Sequence, residues 1–116
     1  MKPLEEIKKD RRLAFINSVK TLFEMQGYIT LSNGRKGTFV AGHNENGMEH
    51  VSVMLYHKLP TWNEMCEIKD IFWNDEETVV QLHPKKSAYT DICDALHLWR
   101  PVNPEEWNRI EHCEKL

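Results

Sequence analysis

Three of the six histidines of the chain occupy positions from which they could act together on one ligand. His50, His83 and His97 lie in the segments MEHVSVMLY, TVVQLHP and ALHLWRP, which have the apolar alternation of β-strands. Successive side chains of a strand point to opposite faces, so residues two apart share a face. If the alternating aliphatic residues face the core, the other face carries His50, Ser52, Gln81, His83, His97 and Trp99. In neighbouring strands, such histidines come within reach of one ligand.

This set of side chains suits the chemistry of phosphate esters. A neutral imidazole takes a proton from water or a sugar hydroxyl, and a protonated one stabilises the leaving oxygen. We therefore expect three catalytic or phosphate-contacting groups, His50, His83 and His97. Ser52 and Gln81 could hydrogen-bond the ligand, and Trp99 could stack on a base. The alternative is that these histidines make local hydrogen bonds and cover part of a second apolar layer.

A basic, hydroxyl-rich segment follows the second of these strands. Its Lys85, Ser87 and Tyr89 could receive a phosphate group, to which Arg100 would add a bidentate donor. A solvated turn is the alternative for the lysine. By strand parity Arg100 belongs with the core-facing leucines, so it could instead pair with an acid at the margin of the sheet.

The sequence gives little indication of a metal site. It has no H-E-x-x-H motif and no C-x-x-C pair, and its histidines are scattered at positions 43, 50, 57, 83, 97 and 112. A site built from the histidines at 50, 83 and 97 is the alternative. No glycine-rich phosphate loop is present either, so we predict neither a metal nor another cofactor.

The elements that must position these residues form one predicted domain, residues 1–116. Apolar residues at helical spacing predict an N-terminal helix over 1–26 and a C-terminal helix over 103–115, flanking a core over 27–101. Asn33-Gly34 predicts a hairpin turn, and Thr61 with Glu64 predicts a capping box at a helix start. The expected fold class is α+β, an antiparallel sheet of about five strands with helices packed on it.

Charge and composition exclude several classes of protein. The net charge is −3, and residues 61–77 contain six acids and a single lysine, which argues against an extended nucleic-acid footprint. No apolar run is long enough for a membrane span, and the charged N-terminus is not a secretory signal. Three unpaired cysteines are typical of reduced thiols. The expectation is a cytoplasmic protein.

Roughly residues 48–101 resemble a known family. The runs PTWNEMCEIKDIFWNDEETVVQLHPKKSAY and LHLWRP, with their tryptophan-rich spacing, resemble a small domain of unknown function encoded by bacteriophages and prophages. The matching positions are Trp62, Glu64, Met65, Ile68, Lys69, Asp70, Phe72, Trp73, Gln81, His83, Pro84, Ser87, Tyr89, His97, Trp99 and Arg100. Members carry Asn-His-Pro-Tyr-Cys before LHLWRP, where this chain has Thr90 to Asp94 and lacks that histidine.

The resemblance implies a phage accessory protein in the cytoplasm of a bacterial host, a class that often counters host defences. Together with the histidines, it suggests a protein that binds, or binds and hydrolyses, a small phosphodiester such as a cyclic nucleotide immune signal. As an enzyme it would be a metal-independent, histidine-based phosphodiesterase; as a sequestering protein it would bury the ligand in a homo-oligomer. The alternatives are an inhibitor that binds a host enzyme through the acidic 64–77 surface, and an interaction module without a ligand.

Overall fold

A computed structural model of the chain describes residue 4 and residues 20–86, 91–102 and 113–115. These residues form one antiparallel sheet with the strand order β4-β5-β3-β2-β1-β6 and a single α-helix. The elements are β1 (Thr21–Thr30), β2 (Lys36–Asn44), β3 (Met48–Tyr56), α1 (Trp62–Phe72), β4 (Val79–Lys86), β5 (Ile92–Pro101) and β6 (Cys113–Lys115).

The expected α+β class is wrong, because strands far outweigh helix in the described part of the chain. Residues 21–26, predicted to be helical, begin β1, and residues 113–115, also predicted to be helical, form β6. The remainder of both predicted helices lies outside the described residues. In β1, Leu22 and Phe23 are exposed rather than packed as a helical stripe. Pairing with β2 along the whole of β1 therefore overrides the local helical pattern.

Tight turns connect the first three strands. The predicted Asn33-Gly34 turn is confirmed: Gly34 has φ +86°, and its N–H donates to Leu31 O at 2.9 Å. Gly47, with φ +73°, performs the same role between β2 and β3. Both angles lie in the left-handed region that glycine adopts without steric penalty.

Helix α1 begins at the capping box that the sequence predicts. Thr61 Oγ1 accepts from Glu64 N at 3.2 Å, while Thr61 N donates to Glu64 Oε1 at 2.8 Å. Arg35 Nη1 also donates to Glu64 Oε1, at 2.7 Å, and Arg35 Nη2 donates to Tyr56 O at 3.1 Å. The helix start is thus tied to the β1–β2 hairpin and to the end of β3.

The core lies on the face of the sheet against which α1 packs. Phe39 and Phe72 meet edge to face with ring centroids 5.3 Å apart. The buried set is Ile29, Leu31, Phe39, Ala41, Val51, Val53, Leu55, Ile68, Phe72, Trp73, Leu96 and Leu98. The predicted parity is confirmed for β3 and β5. On the edge strand β4 it holds less well, since Leu82 is half-buried and Val80 is 38% exposed. No helix within the described ranges is long and apolar enough to cross a membrane.

Candidate functional site

The three histidine-bearing strands are neighbours in the sheet, with β5 between β4 and β3. His97 on β5 lies opposite Ser52 of β3 and Gln81 of β4, while Trp99 lies opposite His50. Residues opposite one another in antiparallel strands share a face. The surface away from α1, here called the histidine face, therefore carries His50, Ser52, Gln81, His83, His97 and Trp99.

On this face the histidines are in mutual contact. His50 Nε2 lies 2.7 Å from His97 Nδ1, and the other ring nitrogen of His50, Nδ1, lies 3.0 Å from Thr21 Oγ1. The His83 ring meets the His97 ring edge-on, with centroids 5.0 Å apart. His83 and His97 are partly exposed, whereas His50 is 5% exposed. A ligand on this face would meet His83 and His97, with His50 behind them.

Aromatic rings fix the position of His50. Its ring stacks on Trp99 at 3.6 Å between centroids and 5° between planes, and Phe23 lies 5.5 Å away at a tilt. Trp99 is 3% exposed, and one side of its ring is covered by His50. The structure therefore brings Trp99 to the histidines as packing for His50 rather than as an open platform for a base.

Burial keeps the central histidines neutral. Desolvation, followed by the charge of His97, lowers the pKa of His50 to about 3. Desolvation, followed by the charge of His83, lowers the pKa of His97 to about 4. Near neutral pH both rings have one protonated and one bare nitrogen. His97 is thus equipped to accept or donate a proton rather than to act as a fixed positive charge.

A glycine on the intervening strand lets β1 reach His50. Gly42 of β2 lies opposite both Phe23 of β1 and His50 of β3. A Cβ at Gly42 would come within 1.9 Å of Leu22 O, because β1 has a register shift between Phe23 and Met25 and folds closely over this position. Without a side chain at residue 42, Thr21 and Phe23 contact the imidazole across β2.

The histidine face also includes two buried polar atoms without partners. Gln81 Oε1, an acceptor, and Trp99 Nε1, a donor, make no hydrogen bond with any described part of the chain. Buried polar atoms are nearly always paired, so exceptions suggest a bound water or ligand. Gln81 lies on β4, opposite His97, and Trp99 lies on β5, two residues after His97.

Arg100 lies on the opposite face of the sheet, so the structure does not bring it to the histidines. Its Nε donates to Glu49 Oε2 at 2.8 Å and its Nη1 to Asp75 Oδ2 at 2.5 Å, and its guanidinium carbon sits 4.9 Å from the Trp73 ring centroid. The structure therefore shows the alternative that strand parity suggested, in which Arg100 pairs with acidic side chains. Burial acts to raise the pKa of Asp75, but hydrogen bonds from Thr78 and Arg100 outweigh it and lower the pKa.

The remaining predicted ligand-binding residues lie at the end of β4, after β4, or within β3. Ser87 and Tyr89 are outside the described residues, as is the side chain of Lys85. Ser52 is 7% exposed and lies beside His50 and His97 on the histidine face.

The acidic surface over 64–77 is smaller than its composition suggests. Glu64 is buried against Arg35, and Asp75 pairs with Arg100. Glu67 accepts hydrogen bonds from Ser32 N at 2.6 Å and from Ser32 Oγ at 3.0 Å. The other three acids, at 70, 76 and 77, are exposed.

The described residues give no indication of a metal site on the histidine face. Across the described ranges, no group of three or more His, Cys, Asp or Glu side chains is arranged to hold a metal ion. A cavity of about 690 Å³ lies elsewhere, between the end of β1 and α1, lined by Thr30, Leu31, Ser32, Asn63, Cys66, Glu67, Asp70 and Ile71. Its acidic lining is the opposite of what a phosphate group requires, so we place the candidate site at the histidines.

Sequence reasoning missed Thr21, Phe23 and Gly42. The first two fell within the predicted N-terminal helix, and the register shift after Phe23 interrupts the alternation that would have indicated a strand. Gly42 lies within β2 and has no side chain, so hydrophobic alternation gives no signal at this position.

Residues 40–103, just over half of the chain, match the model of a domain of unknown function (DUF7694). The match includes the whole histidine face and Gly42 but not Thr21. No curated protein and no solved structure matches the chain significantly.

Proposed function

This chain belongs to the DUF7694 family, a domain of unknown function, and we propose that it binds a small phosphodiester ligand of the nucleotide class on its histidine face. The observation that carries the proposal is the contact of His50, His97 and His83 across three adjacent strands. We further propose a phage accessory, anti-defence role in the bacterial cytoplasm, which the sequence resemblance supports.

His97 is the central group of the proposed site. Its Nδ1 is engaged by His50, and its Nε2 makes no hydrogen bond with the part of the chain that the structure describes. A ligand hydroxyl or phosphoryl oxygen can therefore pair with Nε2. Because the ring is neutral, it can accept the proton of an attacking hydroxyl as well as donate one.

His83 supplies the second group. In a hydrolytic reaction, water or a neighbouring sugar hydroxyl would lose its proton to His97 while its oxygen bonds to phosphorus. The bond from phosphorus to the leaving oxygen would break, and a protonated His83 would give that oxygen its proton. The edge-on contact of the two rings allows both to reach one phosphate group.

The unpaired polar atoms beside His97 are compatible with a nucleotide, provided that the ligand or a water molecule reaches them below the exposed histidines. Gln81 Oε1 needs a donor, and Trp99 Nε1 needs an acceptor. The edge of a nucleobase offers both kinds of group, whereas a phosphate offers chiefly acceptors. Sequestration without turnover would be strengthened in a homo-oligomer, in which the ligand is buried between subunits.

The proposal is tested with a panel of cyclic di- and trinucleotides. After incubation, free ligand is measured in the protein solution and again after heat denaturation. Binding depletes the free ligand, and we expect heating either to release it intact, which means sequestration, or to release its fragments, which means hydrolysis. No depletion in either sample would overturn the proposal in favour of the inhibitor or ligand-free alternatives.

Matched variants assign any effect to the site. His83→Ala and His97→Ala should abolish depletion, and His83→Ala is the safer variant because that ring is partly exposed. The control is His57→Asn, which removes an exposed imidazole at φ 78°, a conformation that asparagine tolerates. Depletion unchanged in both site variants would contradict the assignment.

A further inference from the structure

We propose that Thr21, His50 and His97 form a proton relay that connects His97 to a groove beside the histidine face, at the start of β1 and the end of β2. Both nitrogens of the His50 ring take part: Nδ1 lies 3.0 Å from Thr21 Oγ1 and Nε2 lies 2.7 Å from His97 Nδ1. These distances are those of direct hydrogen bonds, so Thr21, His50 and His97 form a continuous row of three side chains without an intervening water molecule.

The outer end of the relay opens into a groove. Thr21 is partly buried and lines a cavity of about 350 Å³. The other residues of this cavity are Lys20, Leu22, His43, Asn44 and Glu45. The pairing of β1, β2 and β3 places Thr21 and Asn44 on the same side of the sheet as His50, so this groove lies beside the histidine face, at the end of β2. His50, which is 5% exposed, is thus a buried connection between the partly exposed ring of His97 and this groove.

Hydrogen-bond geometry couples the two imidazole rings. Between two neutral rings, one nitrogen must donate and the other must accept. If His50 donates from Nε2, His97 Nδ1 is bare and His97 is protonated at Nε2. If His97 donates from Nδ1, His50 Nε2 is bare and His50 is protonated at Nδ1. The two rings therefore always have the same tautomer, both Nε2–H or both Nδ1–H.

Proton transfer switches the row between these two states. Starting from the Nδ1–H state, a proton received at His97 Nε2 is matched by transfer of the Nδ1 proton to His50 Nε2. The His50 Nδ1 proton then passes to Thr21 Oγ1, and the original hydroxyl proton of Thr21 leaves to water in the groove. Each of the three side chains gains one proton and loses one, so all three end neutral and both rings end in the Nε2–H state.

Packing favours movement of protons over movement of rings. Trp99 stacks on His50 with 5° between planes, and Phe23 lies on the ring at 5.5 Å, so rotation of the imidazole would break both contacts. Burial also lowers the pKa of His50 to about 3, which makes a long-lived His50 cation unfavourable. The protons therefore move along the row in quick succession.

The relay deepens the proposed function and rests on it for its purpose. A base that has taken a proton from the ligand must be reset before it acts again. When His97 later gives up its Nε2 proton, for example to the product, the same transfer in reverse, with a proton entering from water at Thr21, would return His97 to its accepting Nδ1–H tautomer. Thr21 and His50 are accordingly positioning residues, since neither is placed to touch the ligand.

The test is ¹⁵N NMR of the imidazole rings in the labelled protein without ligand. We expect His50 and His97 to show the same neutral tautomer at neutral pH. We expect the proton shared by the rings to exchange with water about tenfold more slowly in Thr21→Val, the effect of losing roughly one hydrogen bond from the exit step. Opposite tautomers in the two rings, or unchanged exchange in Thr21→Val, would overturn the relay.

Two controls separate the relay from a structural role of Thr21. Thr21→Ser retains the hydroxyl and should restore wild-type exchange, whereas a merely structural role would not distinguish a hydroxyl from an isosteric methyl group. Thr30→Val makes the same substitution at an exposed position of β1 and should leave exchange unchanged. These measurements need no nucleotide, so a failed ligand panel with matched tautomers would reject the proposed function and keep the relay.

Discussion

His50 Nε2 lies 2.7 Å from His97 Nδ1, although the two residues are not opposite each other in the β3–β5 ladder. The residue opposite His50 is Trp99, and the residue opposite His97 is Ser52. Diagonal neighbours of a sheet are about 7–8 Å apart at their backbones, so their rings must lean toward each other to meet. The stacking of Trp99 on His50 holds this inclination. The histidine contact therefore depends on the pairing of β3 with β5.

The free energy of unfolding should decrease when the pH is lowered below about 6.5, because of the buried histidines. Burial, with the neighbouring histidine charge, lowers the pKa of His50 to about 3 and of His97 to about 4, whereas the unfolded chain titrates near 6.5. At pH values between these pKa values the unfolded state binds more protons than the folded state. The contribution of the two histidines to the free energy of unfolding is therefore fully present above pH 6.5 and decreases as the pH falls toward 4. The slope is up to about 1.4 kcal/mol per pH unit for each histidine.

Urea denaturation between pH of about 7 and 5 measures this slope, a range above the titration of ordinary carboxylates. His97→Gln removes one of the titrating groups and should reduce the slope. An identical slope in wild type and variant would show that His97 does not titrate below its unfolded value.

Gly42→Ala should destabilise the fold more than Gly34→Ala. At Gly42 the added methyl group would lie 1.9 Å from Leu22 O, a backbone atom that can move only with the register shift of β1. At Gly34 the methyl meets nothing within 4 Å, and the loss is that of placing alanine at φ +86°, about 1 kcal/mol. Chemical denaturation compares the two, and equal losses would argue against the close passage of β1 over β2.

Gly42→Ala should also break the contact between Thr21 and His50, while Gly34→Ala should leave it intact. The imidazole ¹⁵N shifts of His50 report this directly. A shift pattern in Gly42→Ala identical to that of the wild type would contradict the role assigned to this glycine.

Arg100→Met should lower the free energy of unfolding by about 3 kcal/mol, because it removes one partner of a buried ion pair. Glu49 is 0% exposed and accepts from Arg100 Nε, and Asp75 accepts from the same guanidinium. Arg100→Lys keeps the charge but cannot reproduce both bonds at once, so we expect an intermediate loss. Urea denaturation provides the measurement.

Under conditions where the Arg100 variants remain folded, nucleotide depletion should be unchanged. The residue lies on the face of the sheet away from the histidines, so loss of ligand binding in folded Arg100→Lys would instead support the ligand-binding role that its sequence position suggested.

Asp94→Asn should stabilise the protein by about 1 kcal/mol. Asp94 is 4% exposed at φ 57°, and its Oδ2 is buried without a partner in the described ranges. Asparagine tolerates the same backbone conformation, and it replaces a buried charge by a neutral amide. Thermal and urea denaturation give the change, and a lower stability would mean that the carboxylate is satisfied in solution.

The parts of the fold with strong local signals were predictable. The capping box at Thr61 and the Asn33-Gly34 turn depend on contacts within a few residues, and the structure confirms both. The alternation in β3 and β5 correctly separated Leu96 and Leu98 from His97. These features follow from period and turn chemistry alone.

The rest depends on contacts between distant segments. Local sequence around Leu22 and Phe23 fits a helix, and only their pairing with β2 makes them strand. Parity placed Trp99 on the face of the histidines, but it could not show that His50 would cover the ring. Arg100 was likewise assigned to the correct face by parity, while its acidic partners come from β3 and from the turn after α1. Which residue covers which is decided by tertiary packing rather than by spacing.

Trp99 and Arg100 are consecutive, yet one packs against an imidazole and the other fills an ion pair on the reverse side of the sheet. Insertion or deletion of one residue within β5 would move its side chains to the opposite faces of the sheet. Arg100 would then lie among the histidines, and His97 would lie in the hydrophobic core. We therefore expect β5 to tolerate substitutions better than insertions or deletions. At the turns that contain Gly34 and Gly47 an added Cβ would meet nothing within 4 Å, and we expect changes of chain length to be tolerated best there.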